Sequence, residues 1–287
     1  MLRYSYAFTA IGTQWSIDTP VAISPVLKRE LQQYIHAYTM RYSRFEPYST
    51  VSQVARQGGS FTFPECDVPL FALYNDLYMR TQEKFSPLVG RTLEDLGYDA
   101  AYTLKPRTAL RASQPLELLT QEGTVLTFSE PALLDIGAAG KGHLANRLAD
   151  ILKQHGHSEY TIDASGDIIH CGKATQEVVG LEHPFDSTQI IGHVTLQNQA
   201  LCASAVSRRA WSERLHHIID ATTQKPVTDI VATWVIADEA LIADGIATAL
   251  FLCEPHVLSD AYSFEYVRMY RDGRIEYSTG FKEGIYE

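Results

Sequence analysis

The sequence of 287 residues predicts an α+β fold with a mixed β-sheet core and helices packed on it. Three observations support this class. Amphipathic helical patterns and β-rich runs interleave, without the regular strand and helix alternation of a doubly wound fold. Several β-rich runs are short and close together, as in hairpins. The sequence contains no internal repeat or linker, so we expect a single domain over residues 1–287.

Composition and charge exclude several classes of protein. The chain is 45% hydrophobic and 20% charged, as ordinary soluble proteins are. Its formal net charge of -10 and its lack of basic runs argue against a nucleic-acid surface. No window approaches the roughly 20 apolar residues of a membrane span, and the N-terminus lacks a signal-peptide pattern. We therefore expect a cytoplasmic protein, with a leader removed before Met1 as the alternative.

The first elements are a strand, a helix and a loop. Phe8 to Asp18 favours a strand, with Gly12-Thr13 as a bulge or bend. Ser24-Pro25 is typical of a helix start. The apolar face of this helix is Leu27, Leu31, Tyr34, Ile35 and Tyr38. The segment from Arg41 to Val54 then reads as a polar, aromatic loop. Its side chains could clamp an aromatic anion, or Phe45 could simply pin the loop.

The middle of the chain predicts a second helix followed by a strand, loop, helix and strand. The second helix has Leu70, Leu73, Tyr74 and Leu77 on one face. A short strand is expected over Thr124–Phe128 and another over Leu133–Ile136. The loop Gly137–Gly142 precedes a helix that Gly156 ends, and the apolar face of that helix is Leu144, Leu148, Ile151 and Leu152. Tyr160 to Ile162 follows as a strand.

The loop GAAGKG suits a phosphate group. Small residues let backbone N–H groups approach a ligand, and a helix N-terminus adds partial positive charge. Lys141 would add a full charge. However, the loop matches neither the Walker A pattern nor G-x-G-x-x-G. An ordinary connection whose glycines only serve the turn is an equally good interpretation.

The second half predicts strands, one apolar helix and a final hairpin. The strands are Glu177 to Leu181, Ile190 to Leu196, Ala200 to Ala205 and Asp229 to Ala237. Asp238 is expected to cap a helix over Glu239–Leu252, which is almost entirely apolar. Phe264 to Thr279 reads as two strands joined by Asp272-Gly273, a strong hairpin signal.

Asp244 and Thr248 are the most informative polar residues of the apolar helix. They are four residues apart, so both side chains lie on one helix face. A carboxylate in apolar surroundings needs a cation or hydrogen bonds. The oxygen pair suits Mg²⁺, with a backbone carbonyl and waters completing the ligands. A structural ion pair with a lysine or arginine is the alternative, and is slightly favoured by these residues alone.

His216 and His217 precede Ile218, Ile219 and Asp220. Adjacent histidines on a strand point to opposite faces, so at most one can serve as a general base or bind a phosphate. For either histidine, a hydrogen-bonded structural role is the commoner outcome.

Seven segments follow one another along almost the whole chain: IGTQWSI, RYSRFEPYSTVSQV, KFSPLVG, DIGAAGKGHLANRLADIL, DASGDI, HHIID and ALIADGIATAL. In the same order they resemble motifs of the FAD:protein FMN transferase family, also called the ApbE or thiamine-biosynthesis-lipoprotein family. The last segment, for example, is similar to A-L-x-A-D-A-L-A-T-A-L. Each motif alone is weak, but seven in register are specific.

The resemblance implies a fold and a reaction. The fold would place an FAD cleft between two α/β halves. Mg²⁺ would bind at the pyrophosphate, and a Thr or Ser hydroxyl of a target flavoprotein would attack the phosphorus on the FMN side, releasing AMP. Such phosphoryl transfer needs charge neutralisation and alignment above all. Two alternatives remain: hydrolysis of FAD to FMN and AMP, and FAD binding without chemistry.

The resemblance also assigns residues to roles. The implied metal ligands are the Ala138 carbonyl, Asp244 and Thr248. The implied FAD-binding residues are Ile11, Phe45, Lys84, Phe85, Ser86, Asp135, Lys141 and Ile219. The candidates near the reacting phosphate are His217 and Asp220.

The chain departs from the family pattern at the rim of the implied flavin site. Ile11 stands where Met is usual, and Ser86 and Leu88 replace the Asp and Thr of F-D-P-T. Ala203 replaces the Thr of A-T-S-G, and Gln224 replaces the Gly of P-x-T-G-x-P. These departures prompt the binding-only alternative. The family's usual lipoprotein leader is missing from the N-terminus, which favours a cytoplasmic member acting on a cytoplasmic flavoprotein.

Overall fold

The computed structural model describes residues 4–172, 175–212 and 214–286. Contacts between Cα atoms divide the chain into two compact units. The first unit consists of Met1–His36, Ala139–Arg208 and Thr228–Glu287, and the second of Ala37–Ala138 and Arg209–Val227. The expectation of a single domain stays a prediction.

The described residues form seven α-helices and seventeen strands. The helices are α1 Pro25–Tyr42, α2 Thr50–Gln57, α3 Val68–Arg80, α4 Gly90–Asp95, α5 Gly140–Gln154, α6 Ala240–Ala249 and α7 His256–Ser259. The strands are β1 Tyr4–Ala10, β2 Thr13–Thr19, β3 Gly59–Thr62, β4 Leu119–Glu122, β5 Val125–Phe128, β6 Tyr160–Asp163, β7 Ile168–Cys171, β8 Glu177–His183, β9 Asp186–Leu196, β10 Gln199–Ala205, β11 Ala210–Ser212, β12 Leu215–His216, β13 Ile219–Asp220, β14 Lys225–Pro226, β15 Ile230–Ala237, β16 Glu265–Tyr270 and β17 Ile275–Tyr277. Within the described residues, no helix has the length and apolar character needed to cross a membrane.

An eight-stranded sheet forms the centre of the first unit. Its strand order is β1-β2-β6-β7-β10-β15-β16-β17. Each neighbouring pair in this order is antiparallel. The α+β class is therefore confirmed, but the sheet is antiparallel where we expected a mixed one. Short hairpin turns between β1 and β2, and between β16 and β17, enforce this direction, because strands joined by so few residues must reverse.

Helices α5 and α6 pack together in the first unit, and α6 also packs on β10 and β15. Strand β15 is buried along its whole length, which explains its unbroken apolar sequence. On α5 the predicted apolar face is buried, with Leu144, Leu148 and Leu152 each fully inaccessible to solvent. The two periodic patterns of the sequence therefore build the surface that carries Lys141 and Asp244.

The second unit has its own core and a small antiparallel sheet in the order β3-β5-β4. Leu70, Leu77, Leu126 and Leu134 are fully buried within it. Two short antiparallel pairs, β11 with β12 and β13 with β14, complete the unit. The pair of β13 and β14 carries Ile219 and Asp220.

Four local expectations are wrong. Asp238 does not cap the apolar helix, because α6 begins at Ala240 with Glu239 as its N-cap residue and no capping side-chain hydrogen bond. Phe8 to Asp18 is not one strand with a bulge, because Ile11 and Gly12 form a tight turn between β1 and β2. The segment Arg41–Val54 is not all loop: helix α2 begins within it, with the Ser49 side chain accepting a hydrogen bond from the Ser52 N–H. Residues Leu133–Ile136 are buried or half-buried but form no strand. Their apolar character serves the core of the second unit.

Candidate functional site

Asp244 is the buried carboxylate of the first unit. It lies on α6 with only 2% of its surface exposed, and its Oδ2 accepts a hydrogen bond of 2.8 Å from the Gly142 N–H of α5. One turn further along α6, the Thr248 hydroxyl lies 3.4 Å from the Ser204 hydroxyl of β10. The predicted pair of oxygen side chains is therefore held on one helix face.

Lys141 forms an ion pair with the buried carboxylate of Asp167. Burial alone would lower the pKa of Lys141, but the Asp167 and Asp244 carboxylates outweigh it and raise the pKa, so the ammonium stays charged. The other oxygen of Asp167 accepts a hydrogen bond of 3.0 Å from the Ala203 N–H. Asp167 thus fixes Lys141 beside Asp244. The Asp244 charge contributes to the raised pKa of Lys141, but an ion pair between these two side chains stays a prediction.

Gly142 is required by the close approach of α5 and α6. A Cβ atom at this position would lie 2.1 Å from the Ala240 carbonyl oxygen and 2.8 Å from the Asp244 Cβ. At least this glycine of GAAGKG therefore serves helix packing, and its N–H is already bound to Asp244. Phosphate binding by the rest of the loop stays a prediction.

In the second unit, Arg44 and Asp135 form a partly buried ion pair. The Arg44 Nε donates to Asp135 Oδ2 at 2.6 Å, and Nη1 donates to the Tyr98 carbonyl at 2.8 Å. The Gly137 N–H donates to Asp135 Oδ1 at 2.7 Å. Burial raises the pKa of Asp135, but Arg44 and the Gly137 N–H outweigh it, so the net pKa is lowered. Asp135 is therefore anionic at neutral pH.

Phe45 and Ile219 lie together in the second unit. Both belong to a hydrophobic cluster with Leu93, Leu96 and Tyr98. The structure thus brings together two residues that the resemblance assigns to FAD, although they are far apart in sequence.

The two histidines have different environments. His216 is buried, its Nε2 lies 2.8 Å from the Val227 carbonyl, and the Ile218 N–H donates to its Nδ1. These bonds engage both ring nitrogens, as in a structural imidazole. His217 is half-buried and follows the end of β12. His217 is the one of the pair that stays a candidate for chemistry, and this role stays a prediction.

Asp220 has a role in local structure. Its Oδ1 accepts hydrogen bonds from the Thr222 N–H at 2.9 Å, the Thr222 hydroxyl at 2.6 Å and the Thr223 N–H at 3.2 Å. Such bonds fix the turn that follows β13. A catalytic role for Asp220 stays a prediction.

The segment from Lys84 to Ser86 lies beside β13. The Lys84 carbonyl accepts a hydrogen bond of 3.0 Å from the Ala221 N–H. Phe85 is 2% exposed and packs on Tyr74, so its ring belongs to the core. Ser86 is also buried, and its hydroxyl accepts from the Leu88 N–H at 3.1 Å. Any contact of this segment with FAD would come from its backbone or from Lys84.

Gln224 occupies a position that normally favours glycine. Its φ of 57° is left-handed, which explains why the family pattern has Gly there. The side chain compensates by donating to the Thr92 hydroxyl at 3.2 Å and to the Arg111 carbonyl at 2.9 Å. The departure is therefore accommodated within the second unit.

Ile11 is strained at the tip of the first hairpin. Ala10 pairs with Thr13, so Ile11 and Gly12 form a two-residue turn, with φ values of 42° and 79°. Positive φ at both positions is typical of the type I′ turn, which prefers Asn-Gly. A β-branched residue with positive φ is a genuine outlier. Strain of this kind is often kept where a side chain has a function.

The donor set on α6 fits a hard metal ion. Among residues 4–172, 175–212 and 214–286, no group of three or more His, Cys, Asp or Glu side chains could hold a metal. The predicted set needs only one carboxylate, because its other donors are a hydroxyl and a carbonyl. A carboxylate can accept the Gly142 N–H and still bind a cation. Asp244 and Thr248 are therefore suited to Mg²⁺.

Two residues that shape these sites, Asp167 and Arg44, have no role in the motifs of the sequence. Asp167 belongs to the segment DASGDI, and its burial beside Lys141 shows why an acidic residue stands there. Arg44 belongs to the segment RYSRFEPYSTVSQV, in which the resemblance assigns a role to Phe45 alone. Its partner Asp135 is 91 positions away, a separation across which no sequence pattern links two residues.

A family model and several known proteins match the chain. The model of the ApbE family matches residues 11–264. A FAD:protein FMN transferase of Klebsiella pneumoniae (strain 342) is 31% identical over 152 residues, which cover 50% of this chain and 47% of that protein. A FAD:protein FMN transferase of Vibrio cholerae is 24% identical over 263 residues, covering 84% of this chain and 79% of that protein. The chain thus spans about half of the Klebsiella protein, and a match in Rhodobacter capsulatus spans 36% of its length.

Solved structures share the fold. The ApbE protein of Thermotoga maritima superposes with a TM-score of 0.85 at 22% identity, with all of both chains covered. The flavin transferase ApbE of Vibrio cholerae gives a TM-score of 0.80 at 20% identity, covering 99% of this chain and 100% of that one. The family model, which spans most of the sequence, and these shared folds agree with the motif order. The chain belongs to the ApbE family.

Proposed function

We propose that this protein transfers FMN from FAD to a Thr or Ser hydroxyl of a target flavoprotein in a Mg²⁺-dependent reaction. Family membership and the names of the relatives support flavin transfer. The observation that carries the proposal is the buried Asp244 on α6, one turn from Thr248 and beside the charged Lys141. One anionic ligand next to a cation suits a polyanionic substrate whose charge must be neutralised.

Asp244 and Thr248 would hold Mg²⁺, and the Ala138 carbonyl is the third ligand that the family resemblance implies. When bound, the ion would neutralise charge on the pyrophosphate oxygens. Lys141 would bind a phosphate oxygen with those of its three N–H donors that Asp167 does not engage. Because Asp167 fixes its position, the ammonium needs no reorganisation when charge develops.

In the second unit, Phe45 and Ile219 would bind FAD through apolar contact, and Asp135 through hydrogen bonds. His217 would accept the proton of the acceptor hydroxyl as its oxygen attacks the FMN phosphorus. The bond from this phosphorus to the bridging oxygen breaks, and AMP leaves with that oxygen. The acceptor then carries FMN through a phosphoester.

The proposal is tested by incubating the purified protein with FAD and a flavoprotein domain bearing a Thr, with Mg²⁺ or with EDTA. We expect AMP release and an acceptor heavier by one FMN only when Mg²⁺ is present. A Thr→Val acceptor should gain no mass. AMP formed equally without an acceptor would indicate a hydrolase instead, and bound FAD without AMP would contradict both enzymatic readings.

Ile11→Asn is expected to raise the free energy of unfolding and to lower the affinity for FAD. Asn tolerates the left-handed turn, so the free energy of unfolding should rise by about 1 kcal/mol. If the Ile11 side chain contacts the flavin as proposed, the FAD dissociation constant should rise severalfold, since about 0.8 kcal/mol is lost per buried CH₂ group. Urea denaturation and FAD titration measure the two effects.

Ile11→Val is the matched control for this prediction. Val keeps the β-branch, the backbone strain and most of the apolar surface. The free energy of unfolding and the FAD dissociation constant should therefore stay near the wild-type values. Unchanged FAD affinity in Ile11→Asn would remove Ile11 from the flavin site, whatever the change in stability.

A further inference from the structure

Four rings of the second unit form an aromatic cluster: Phe45, Tyr98, Tyr102 and Trp211. Tyr98 stacks on Trp211 with ring centres 5.5 Å apart, and Tyr102 stacks on Phe45 at 5.3 Å with an angle of 15° between the rings. Tyr98 meets Phe45 and Tyr102 edge to face. These are favourable ring geometries. Tyr102 lies in a segment that the motifs of the sequence do not cover.

Phe45 is packed between groups of its own chain. The Arg44 guanidinium lies 4.3 Å from the centre of its ring, and Arg44 is fixed in turn by Asp135. The spacing of 5.3 Å between Phe45 and Tyr102 leaves no room for a third ring, which would need about 7 Å between two ring planes. A flavin therefore cannot insert into this stack as it stands.

Tyr102 instead presents the accessible face of the aromatic cluster. It is 56% exposed, whereas Tyr98 is 9% exposed and Phe45 is half-buried. One face of Tyr102 rests on Phe45, so a ligand ring that approaches from solvent meets Tyr102 first. Phe45 and Arg44 pack behind Tyr102 and would keep its ring in place when a ligand ring stacks on it.

The backbone holds Tyr102 in an unusual conformation. Its φ is 49°, and that of Leu104 is 53°, both in the left-handed region that is unfavourable for residues with a Cβ. Asp99 fixes the segment by accepting hydrogen bonds of 3.0 Å from the N–H groups of Ala101 and Thr103. The Leu104 N–H donates to the Gly97 carbonyl at 2.9 Å. This exposed ring is therefore positioned before any ligand arrives.

We propose that Tyr102 stacks on the isoalloxazine ring of FAD and that Phe45 supports it from behind. The inference rests on the proposed function, and it moves the direct flavin contact from Phe45 to Tyr102. The chemistry fits, because isoalloxazine is planar and electron-poor whereas the phenol ring is electron-rich. Ring stacking on an aromatic side chain also tolerates a ligand that must leave after each turnover.

The test compares Tyr102→Asn with Tyr102→Phe. Asn adopts the left-handed conformation without strain, so the first variant removes the ring and keeps the loop. We expect its dissociation constants for FAD and FMN to rise about tenfold, the size of one stacking contact, and that for AMP to stay unchanged. The quenching of flavin fluorescence on binding should also fall, which a purely structural role would not cause. Tyr102→Phe should retain affinity.

Leu104→Asn is the control for the loop. It changes an exposed residue of the same segment with the same backbone strain, so FAD affinity and quenching should match wild type. Unchanged flavin binding in Tyr102→Asn would overturn the proposal, and so would weaker binding of AMP alone, which would assign the ring to adenine. Tighter FAD binding would also overturn it, by showing that Tyr102 blocks the site.

Different results would contradict the proposed function and the role of Tyr102. A wild-type protein that binds FAD and quenches its fluorescence but transfers no FMN would contradict the proposed function. The role of Tyr102 would be unaffected by that result. A wild-type protein that transfers FMN, with Tyr102→Asn equal to it in flavin affinity and quenching, would contradict only the role of Tyr102.

Discussion

Asp244→Asn is expected to lower the rate of FMN transfer by about 100-fold or more, the usual effect of removing one preorganised electrostatic group, while the protein stays folded. The amide oxygen of Asn can still accept the hydrogen bond from the Gly142 N–H, which Asp244 now accepts at 2.8 Å. The charge that binds Mg²⁺ is lost. The variant therefore separates the proposed metal role of Asp244 from its structural role.

Asp244→Ala is the companion variant. It removes the acceptor as well as the charge, and an unsatisfied buried N–H costs about 1–3 kcal/mol. We expect the same loss of transfer as in Asp244→Asn, together with lower stability. AMP release and acceptor mass measure the reaction, and urea denaturation measures the free energy of unfolding.

Titration with Mg²⁺ gives a readout that does not depend on turnover. In wild type, Mg²⁺ with FAD should raise the midpoint of thermal unfolding, because ligands that bind only the folded state stabilise it. This shift should disappear in Asp244→Asn. A variant that retains both transfer and the Mg²⁺ shift would contradict the metal assignment and leave Asp244 with a structural role, as the acceptor of the Gly142 N–H.

Periodic patterns predicted most of the fold. The apolar faces of α1, α3 and α5 and the unbroken run of β15 each correspond to a real element. The predictions failed where local chemistry was unusual. The first hairpin was missed because Ile11 occupies a turn position that normally takes Asn or Gly. Residues 133–136 were assigned to a strand because burial in a core produces the same apolar run without a sheet partner.

The candidate site was only partly predictable, for a physical reason. Motif order pointed to Asp244 and Lys141, but their environment depends on contacts between distant segments. Gly142 and Asp244 are 102 positions apart, and Lys141 and Asp167 are 26 apart. Spacing within one helix reveals neighbours three or four residues away, whereas pairs formed by tertiary packing leave no such signal.

Gly142→Ala is expected to lower the free energy of unfolding by about 3 kcal/mol, from overpacking and a strained buried hydrogen bond. Helix propensity alone predicts the opposite sign, because Ala stabilises a helix by about 1 kcal/mol relative to Gly. The steric clash should outweigh the gain in helix propensity, because the new Cβ would lie 2.1 Å from the Ala240 carbonyl oxygen. That atom belongs to the backbone of α6, so relief requires α5 and α6 to separate.

Gly180→Ala is the matched control in the same unit. The three atoms nearest to a Cβ there belong to the Ile190 side chain, the first at 3.1 Å, and that side chain can adjust. We expect a change of about 1 kcal/mol or less. Urea denaturation of both variants gives the comparison.

The outcome for Gly142→Ala also decides between the two interpretations of GAAGKG. Lower stability would establish that Gly142 serves the contact of α5 with α6 and, through its N–H, the position of Asp244. Wild-type stability with weakened FAD binding would instead mean that the helices yield and that the small residue serves a phosphate. The loop would then bind its ligand through backbone N–H groups, and the ion pair of Lys141 and Asp167 would lie beside that ligand.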